Sequence, residues 1–213
     1  MSRPGDAEIL VAARSALLDA LETLTDQQAA LVLIGTQAIY LHTGAAPVAL
    51  AEATKDTDLA VDPRALHDYP RLEEAMQRAG FYRNRTDPQP GSWLSARGIP
   101  GDLMVPELLA GLGERRDTPG RLLDKDAHDV YRLLRATETV TLATALAELQ
   151  GNELAGSVTD EAIVYLERLF AAGPEALGAM MARRAEELFG NAAVVSAAVA
   201  ILAADLLAAL PSD

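Results

Sequence analysis

Every stretch of this chain that reads as a strand lies before residue 106 and none follows Leu108, a division that narrows the available folds more than any other feature. Ala30-Leu31-Val32-Leu33-Ile34 is wholly apolar and rich in branched residues, as a buried strand would be. Thr57 to Val61 alternates in the manner of a half-buried strand, and Asp62-Pro63 ends it. Shorter strand-like runs cover Phe81 to Asn84, Ser92 to Ala96 and Asp102 to Val105. The turn-forming stretches Asp87-Pro88-Gln89-Pro90-Gly91 and Arg97-Gly98-Ile99-Pro100-Gly101 separate them. Between and before these runs the spacing is helical. Ile9, Leu10, Ala13, Leu17, Leu18 and Leu21 predict an amphipathic helix ending near Thr23 to Asp26. A second helix is expected from Thr36 until Thr43-Gly44, and a third from Tyr69-Pro70 to Ala79-Gly80.

Beyond Leu108 only helical patterns recur: Arg121 to Ala136, Thr141 to Leu149, Asp160 to Ala171, Pro174 to Phe189 and Ala192 to Leu210. Breaks at Gly151, Gly156, Gly173 and Gly190 separate them. The class this implies is α+β, a small mixed or antiparallel sheet with flanking helices over residues 1–118, followed by a C-terminal helical bundle over 119–213. Arg115-Arg116-Asp117-Thr118-Pro119-Gly120 reads as the linker.

Composition narrows the partners. A net charge of −13 argues against sequence-independent nucleic-acid binding, which depends on clustered Lys and Arg, so any nucleic-acid substrate must be met locally. The absence of cysteine excludes disulfides and thiolate metal sites. Met1 to Asp6 passes into an amphipathic pattern without the apolar core of an export signal, and a cytoplasmic home is expected. Ala192 to Leu210 is long and apolar enough to raise the question of a membrane span. It is dominated by alanine and interrupted by Ser196 and Asp205, so the expectation is no membrane segment. A helix enclosed by its own fold, or packed against a second copy in a homo-oligomer, fits better.

Two carboxylates two residues apart, Asp56 and Asp58, fall on one face of the strand while Thr57, Leu59 and Val61 point to the other. Such close like charges ionise together only beside a cation, and Mg²⁺ prefers hard oxygen ligands. In a chain with 31 acidic residues the same spacing also arises by chance at a solvated strand end. Asp124 and Asp126 repeat it where a helix begins, and there capping and the helix dipole explain it. Upstream, Ile34-Gly35-Thr36 ends an apolar strand and starts a helix, which is either a tight turn or a set of free amides able to hold phosphate oxygens. Asp102 faces away from Leu103 and Val105, either as a third acid or as an ordinary turn residue after Pro100-Gly101. His42, His67 and His128 share no zinc-site spacing. His128-Asp129 reads as a helix-surface pair, and Trp93 as packing or, alternatively, as a base-stacking platform.

Ile34-Gly35-Thr36, Asp56-Thr57-Asp58-Leu59 and Asp102 together resemble the minimal nucleotidyltransferase family of the DNA polymerase β-like superfamily. Leu33 to His42 and Arg121 to Asp129 look more closely like the branch related to abortive-infection toxins of the AbiE type, over about residues 28 to 136. The resemblance implies a nucleotidyltransferase sheet and an Mg²⁺-dependent enzyme with room for two ions, moving NMP from an NTP to a hydroxyl on tRNA or protein. It implies Asp56, Asp58 and Asp102 as catalytic metal ligands, Gly35 and Thr36 at the β- and γ-phosphates, and Lys125 and Asp126 near the nucleotide. A toxin of this kind would have a cognate antitoxin as partner. The segment from Val105 to Arg116 is shorter than expected and lacks lysine, leaving Arg115 or Arg116 as substitutes or as solvated linker charges. A degenerate nucleotide-binding or interaction protein with the same fold is the alternative.

Overall fold

The computed structural model describes residues 6–44, 56–86, 89, 91–104, 124–187 and 192–211. These divide between two compact units, residues 6–40 with 56–104 in the first and 41–44 with 124–211 in the second. The expected linker at 115–120 lies outside the described residues.

The first unit is built on a five-stranded mixed sheet. Its strands are β1 (Leu31–Ile34), β2 (Thr57–Val61), β3 (Tyr82–Arg83), β4 (Ser92–Leu94) and β5 (Pro100–Met104), in the spatial order β1-β2-β5-β4-β3. Only β2 and β5 run parallel; the other neighbours are antiparallel. Helix α1 (Asp6–Thr23) covers one face. Its buried stripe is Ala13, Ala16, Leu17 and Ala20, continued by Leu24, whereas Leu18, expected to be part of that stripe, is 64% exposed. The small alanines let the helix approach the sheet closely enough for the Thr57 hydroxyl to donate to the Ala13 carbonyl at 3.1 Å. Leu17, Ala20, Leu24, Leu59, Phe81 and Trp93 form the core on this side, joined by Ala75 and Met76 of α3 (Leu72–Arg78). All three residues expected to face a core on β2, Thr57, Leu59 and Val61, are buried.

Local chemistry shifts several boundaries. Ala30 does not open β1; it closes a 3₁₀ helix over Thr25–Ala30, and its carbonyl accepts from the Asp62 amide at 2.8 Å. Helix α2 (Gly35–Thr43) begins at the glycine itself, with no separate turn. Helix α3 does not start at Tyr69-Pro70. Arg71 is extended, and the buried Gln27 amide holds the preceding segment by donating to the carbonyls of His67 and Pro70 while accepting from the His67 amide. A single side chain far away in sequence therefore fixes a segment that helical spacing alone would place in the helix.

In the second unit α4 (Asp124–Ala136), α5 (Thr139–Gln150), α6 (Gly156–Leu166), α7 (Leu177–Glu186) and α8 (Ala192–Ala209) are all helical, and a π-helical turn over Glu167–Ala171 prolongs α6. Val195, Val199, Ala203 and Leu206 recur at helical spacing on α8 and are buried with Tyr131, Leu134, Phe170, Met181 and Ala182. α7 approaches the π-helical turn so closely that a Cβ on Gly178 would lie 2.7 Å from two ring carbons of Phe170. Among the described residues no helix is long and apolar enough to cross a membrane.

Candidate functional site

Strand register decides which acids can act together. In the parallel β2–β5 pair Asp58 lies directly beside Asp102, and in the antiparallel β1–β2 pair Asp58 lies opposite Ile34. Cross-strand partners share a face, so both carboxylates occupy the side of the sheet away from α1, which is taken by Thr57, Leu59 and Leu103. Gly35 follows Ile34 immediately, at the point where β1 turns into α2. Its φ of 69° belongs to the left-handed region that glycine occupies without strain. A Cβ at this position would stand 2.6 Å from Oδ2 of Asp58. Side-chain absence at residue 35 thus lets the Asp58 carboxyl lie against the first residue of a helix, where amide groups point outward and the helix dipole favours negative charge. Thr36, half-buried, is the next residue of that helix.

Two carboxylates side by side on adjacent strands repel unless a cation or proton intervenes. Asp56, half-buried, directly precedes β2; strand register pairs Asp58 with Asp102 and does not extend to it. Among the described residues no group of three or more His, Cys, Asp or Glu side chains is clustered so as to hold a metal ion. Lys125 and Asp126 belong to the first turn of α4 in the second unit. Arg115 and Arg116 lie outside the described residues.

The row begun by the two acids continues across the sheet. Ser92 of β4 is the register partner of Asp102, and beyond it Asn84 donates from its backbone amide to the Ser92 carbonyl at 3.1 Å. Trp93 points the other way, is buried, and receives the Arg83 guanidinium over its ring at 4.4 Å. It is a core residue with a cationic cover and is not open to a base.

Two clusters escaped the sequence reading. His128 and Asp129, expected on a helix surface, are buried. His128 is 0% exposed and its Nε2 lies 2.5 Å from Oε2 of Glu186 on α7. Nothing near residue 128 in sequence announces a partner 58 positions later. The second is a cleft of about 440 Å³ lined by Tyr82, Arg83, Arg85, Thr86 and Leu94. Its sequence signal is the arginine pair in Tyr82-Arg83-Asn84-Arg85.

What the first unit establishes is an α+β framework: a five-stranded mixed sheet with flanking helices, bearing an acid pair against a glycine-started helix. Compared with protein-family models, curated proteins and solved structures, the chain finds no match.

Proposed function

We propose that the chain is an Mg²⁺-dependent nucleotidyltransferase, moving an NMP unit from an NTP to an acceptor hydroxyl. The observation that carries this reading is the register of Asp58 beside Asp102 with Gly35 pressed against the Asp58 carboxyl. Mg²⁺ is typically held by one or two carboxylates together with substrate phosphates, keeping several waters. Two carboxylates side by side, one of them lying against the glycine that starts a helix, fit that requirement. When bound, the metal neutralises phosphate charge and lowers the pKa of the attacking hydroxyl.

The chain's own residues supply position. The amides at the start of α2 and the Thr36 hydroxyl hold the β- and γ-phosphates, and Asp58 and Asp102, with Asp56 at the strand's entry, orient the metal and the α-phosphate. The acceptor oxygen forms a bond to the α-phosphorus as the α–β anhydride bond breaks, pyrophosphate leaves with that electron pair, and the hydroxyl proton passes to a carboxylate of the pair. The role near the nucleotide that the sequence resemblance implies for Lys125 and Asp126 is tested by Lys125→Ala on NTP affinity. A toxin–antitoxin setting and a homo-oligomer belong to the same reading.

One observation favours a second reading. A pair of acids, without a third clustered beside it among the described residues, suits a protein that binds Mg²⁺-NTP yet turns it over weakly or not at all. Incubating the full chain with Mg²⁺ and α-labelled NTPs, with bulk tRNA and with the protein itself as acceptors, separates the two. Transfer of label that Asp58→Ala abolishes is the expected result. A thermal shift with Mg²⁺-NTP and no label transfer selects the binding protein, and neither shift nor label overturns both.

A further inference from the structure

We infer that the cleft at the β3–β4 edge binds the 3′-terminal segment of a single-stranded RNA acceptor, a reading that rests on the nucleotidyl-transfer site proposed above. Three observations carry it. First, the lining is chemically suited to alternating bases and phosphates: Tyr82 is 48% exposed, Leu94 is half-buried, and Arg83, Arg85 and Thr86 complete the walls. Aromatic side chains stack on any base and guanidinium groups meet phosphate, the combination by which single strands are held without sequence reading. Second, among the described residues no carboxylate lines the cleft, although acids outnumber Lys and Arg by 31 to 18 in the whole chain. Arg83 is steadied by Glu73 at 3.2 Å and by the Trp93 ring, while Arg85 makes no ion pair among the described residues.

Third, the cleft is in line with the acids. Tyr82 is the register partner of Leu94, and Leu94 lies two residues from Ser92, the partner of Asp102. Period-two alternation therefore puts Tyr82, Leu94, Ser92, Asp102 and Asp58 on one face of the sheet. Two strand spacings, about 10 Å, separate β3 from β5, a distance that a terminal nucleotide unit can bridge with its hydroxyl toward the acid pair. The chain's overall negative charge would repel a long polyanion, so the contact is confined to the end of the strand. A protein acceptor would offer no reason for a base-sized aromatic wall beside the Arg85 guanidinium.

The test measures binding of a 5′-fluorescein single-stranded RNA oligonucleotide with a free 3′-hydroxyl to the full chain by anisotropy. Tyr82→Ala and Arg85→Glu are measured beside the wild type, with a Ser/Thr-containing peptide as competitor and the Mg²⁺-NTP thermal shift recorded for each protein. Loss of one stacking contact corresponds to a roughly 5- to 150-fold weaker Kd, and both variants are expected to weaken RNA binding while keeping the wild-type thermal shift. RNA binding equal in wild type and variants, no RNA binding by the wild type, or displacement of the RNA by the peptide overturns the proposal. If RNA binding falls in the variants but no protein shows a shift with Mg²⁺-NTP, the cleft stands and the nucleotidyl-transfer reading fails.

Discussion

At Gly35 a single missing Cβ serves both the backbone and the site. The residue sits at a φ of 69°, and its Cα supports the Asp58 carboxyl. Gly35→Ala therefore forces a side chain into a left-handed position and into a carboxylate oxygen at once. Strain of that kind costs about 1–3 kcal/mol, and we expect chemical denaturation to register a loss of this size, together with loss of the Mg²⁺-NTP thermal shift. A variant as stable as the wild type would refute the account of residue 35. A second single-residue effect concerns Asp62, just past β2. Its carboxyl accepts from the Arg64 side chain at 2.9 and 2.8 Å and from the Arg64 amide, and these hydrogen bonds hold its pKa down at about 2 instead of 3.8. A carboxyl whose pKa is lower in the folded chain adds stability above pH 3.8 and surrenders it as pH falls toward 2. The pair is exposed to solvent, so the stability at stake is small. The direct readout is an NMR titration of the Asp62 carboxyl, where Arg64→Ala should return the midpoint toward 3.8.

Helix-on-helix contact in the second unit turns on the buried His128–Glu186 pair between α4 and α7. The His128 ring has Nδ1 without a hydrogen-bond partner among the described residues, so Glu186 is its polar anchor, and Tyr131, pushed above its ordinary pKa by burial, packs beside it. Removing one member of such a pair leaves the other buried without its hydrogen-bond partner, at about 1–3 kcal/mol, whereas replacing both by apolar residues of similar shape can be nearly neutral. Glu186→Ala and His128→Ala should each lower the denaturation midpoint strongly, and a His128→Leu, Glu186→Met double variant should recover most of the loss. Additive losses in the double variant would show that packing, not polar pairing, governs the contact. The same pair marks where sequence reading stops. Alternation in Thr57 to Val61 correctly gave a strand with a buried face, and the switch from strand-like to helix-only patterns gave the α+β character, because both depend on near neighbours. The start of α3, the exposure of Leu18, the burial of His128 and the cleft at Tyr82 depend on Gln27, the sheet, Glu186 and β4, partners that no local period encodes. Among the acids, spacing singled out Asp56 and Asp58, but only strand order could make Asp58 and Asp102 neighbours: β5, late in sequence, inserts beside β2.

Each of the two units encloses its own apolar cluster, one around Leu59 and Trp93, the other around Phe170 and Val199, so a ligand held by one cluster's scaffold need not stabilise the other. This gives the proposed site a signature across the whole molecule. A ligand that binds only the folded form stabilises it by RT ln(1 + [L]/Kd), about 2.7 kcal/mol at a hundredfold excess over Kd. Amides that exchange through opening of the first unit should slow accordingly, and those that exchange through local fraying should not. Hydrogen exchange with and without Mg²⁺-NTP is therefore expected to slow at residues 31–36, 57–61 and 100–104, where β1, the start of α2, β2 and β5 meet, while α5, α6 and α8 keep their rates. Asp58→Ala should erase the change without altering exchange in the second unit. Protection gained in the second unit alone would mean that the nucleotide binds there, and Asp58, Asp102 and Gly35 would then be architecture, with the resemblance at Lys125 and Asp126 the better guide to the site.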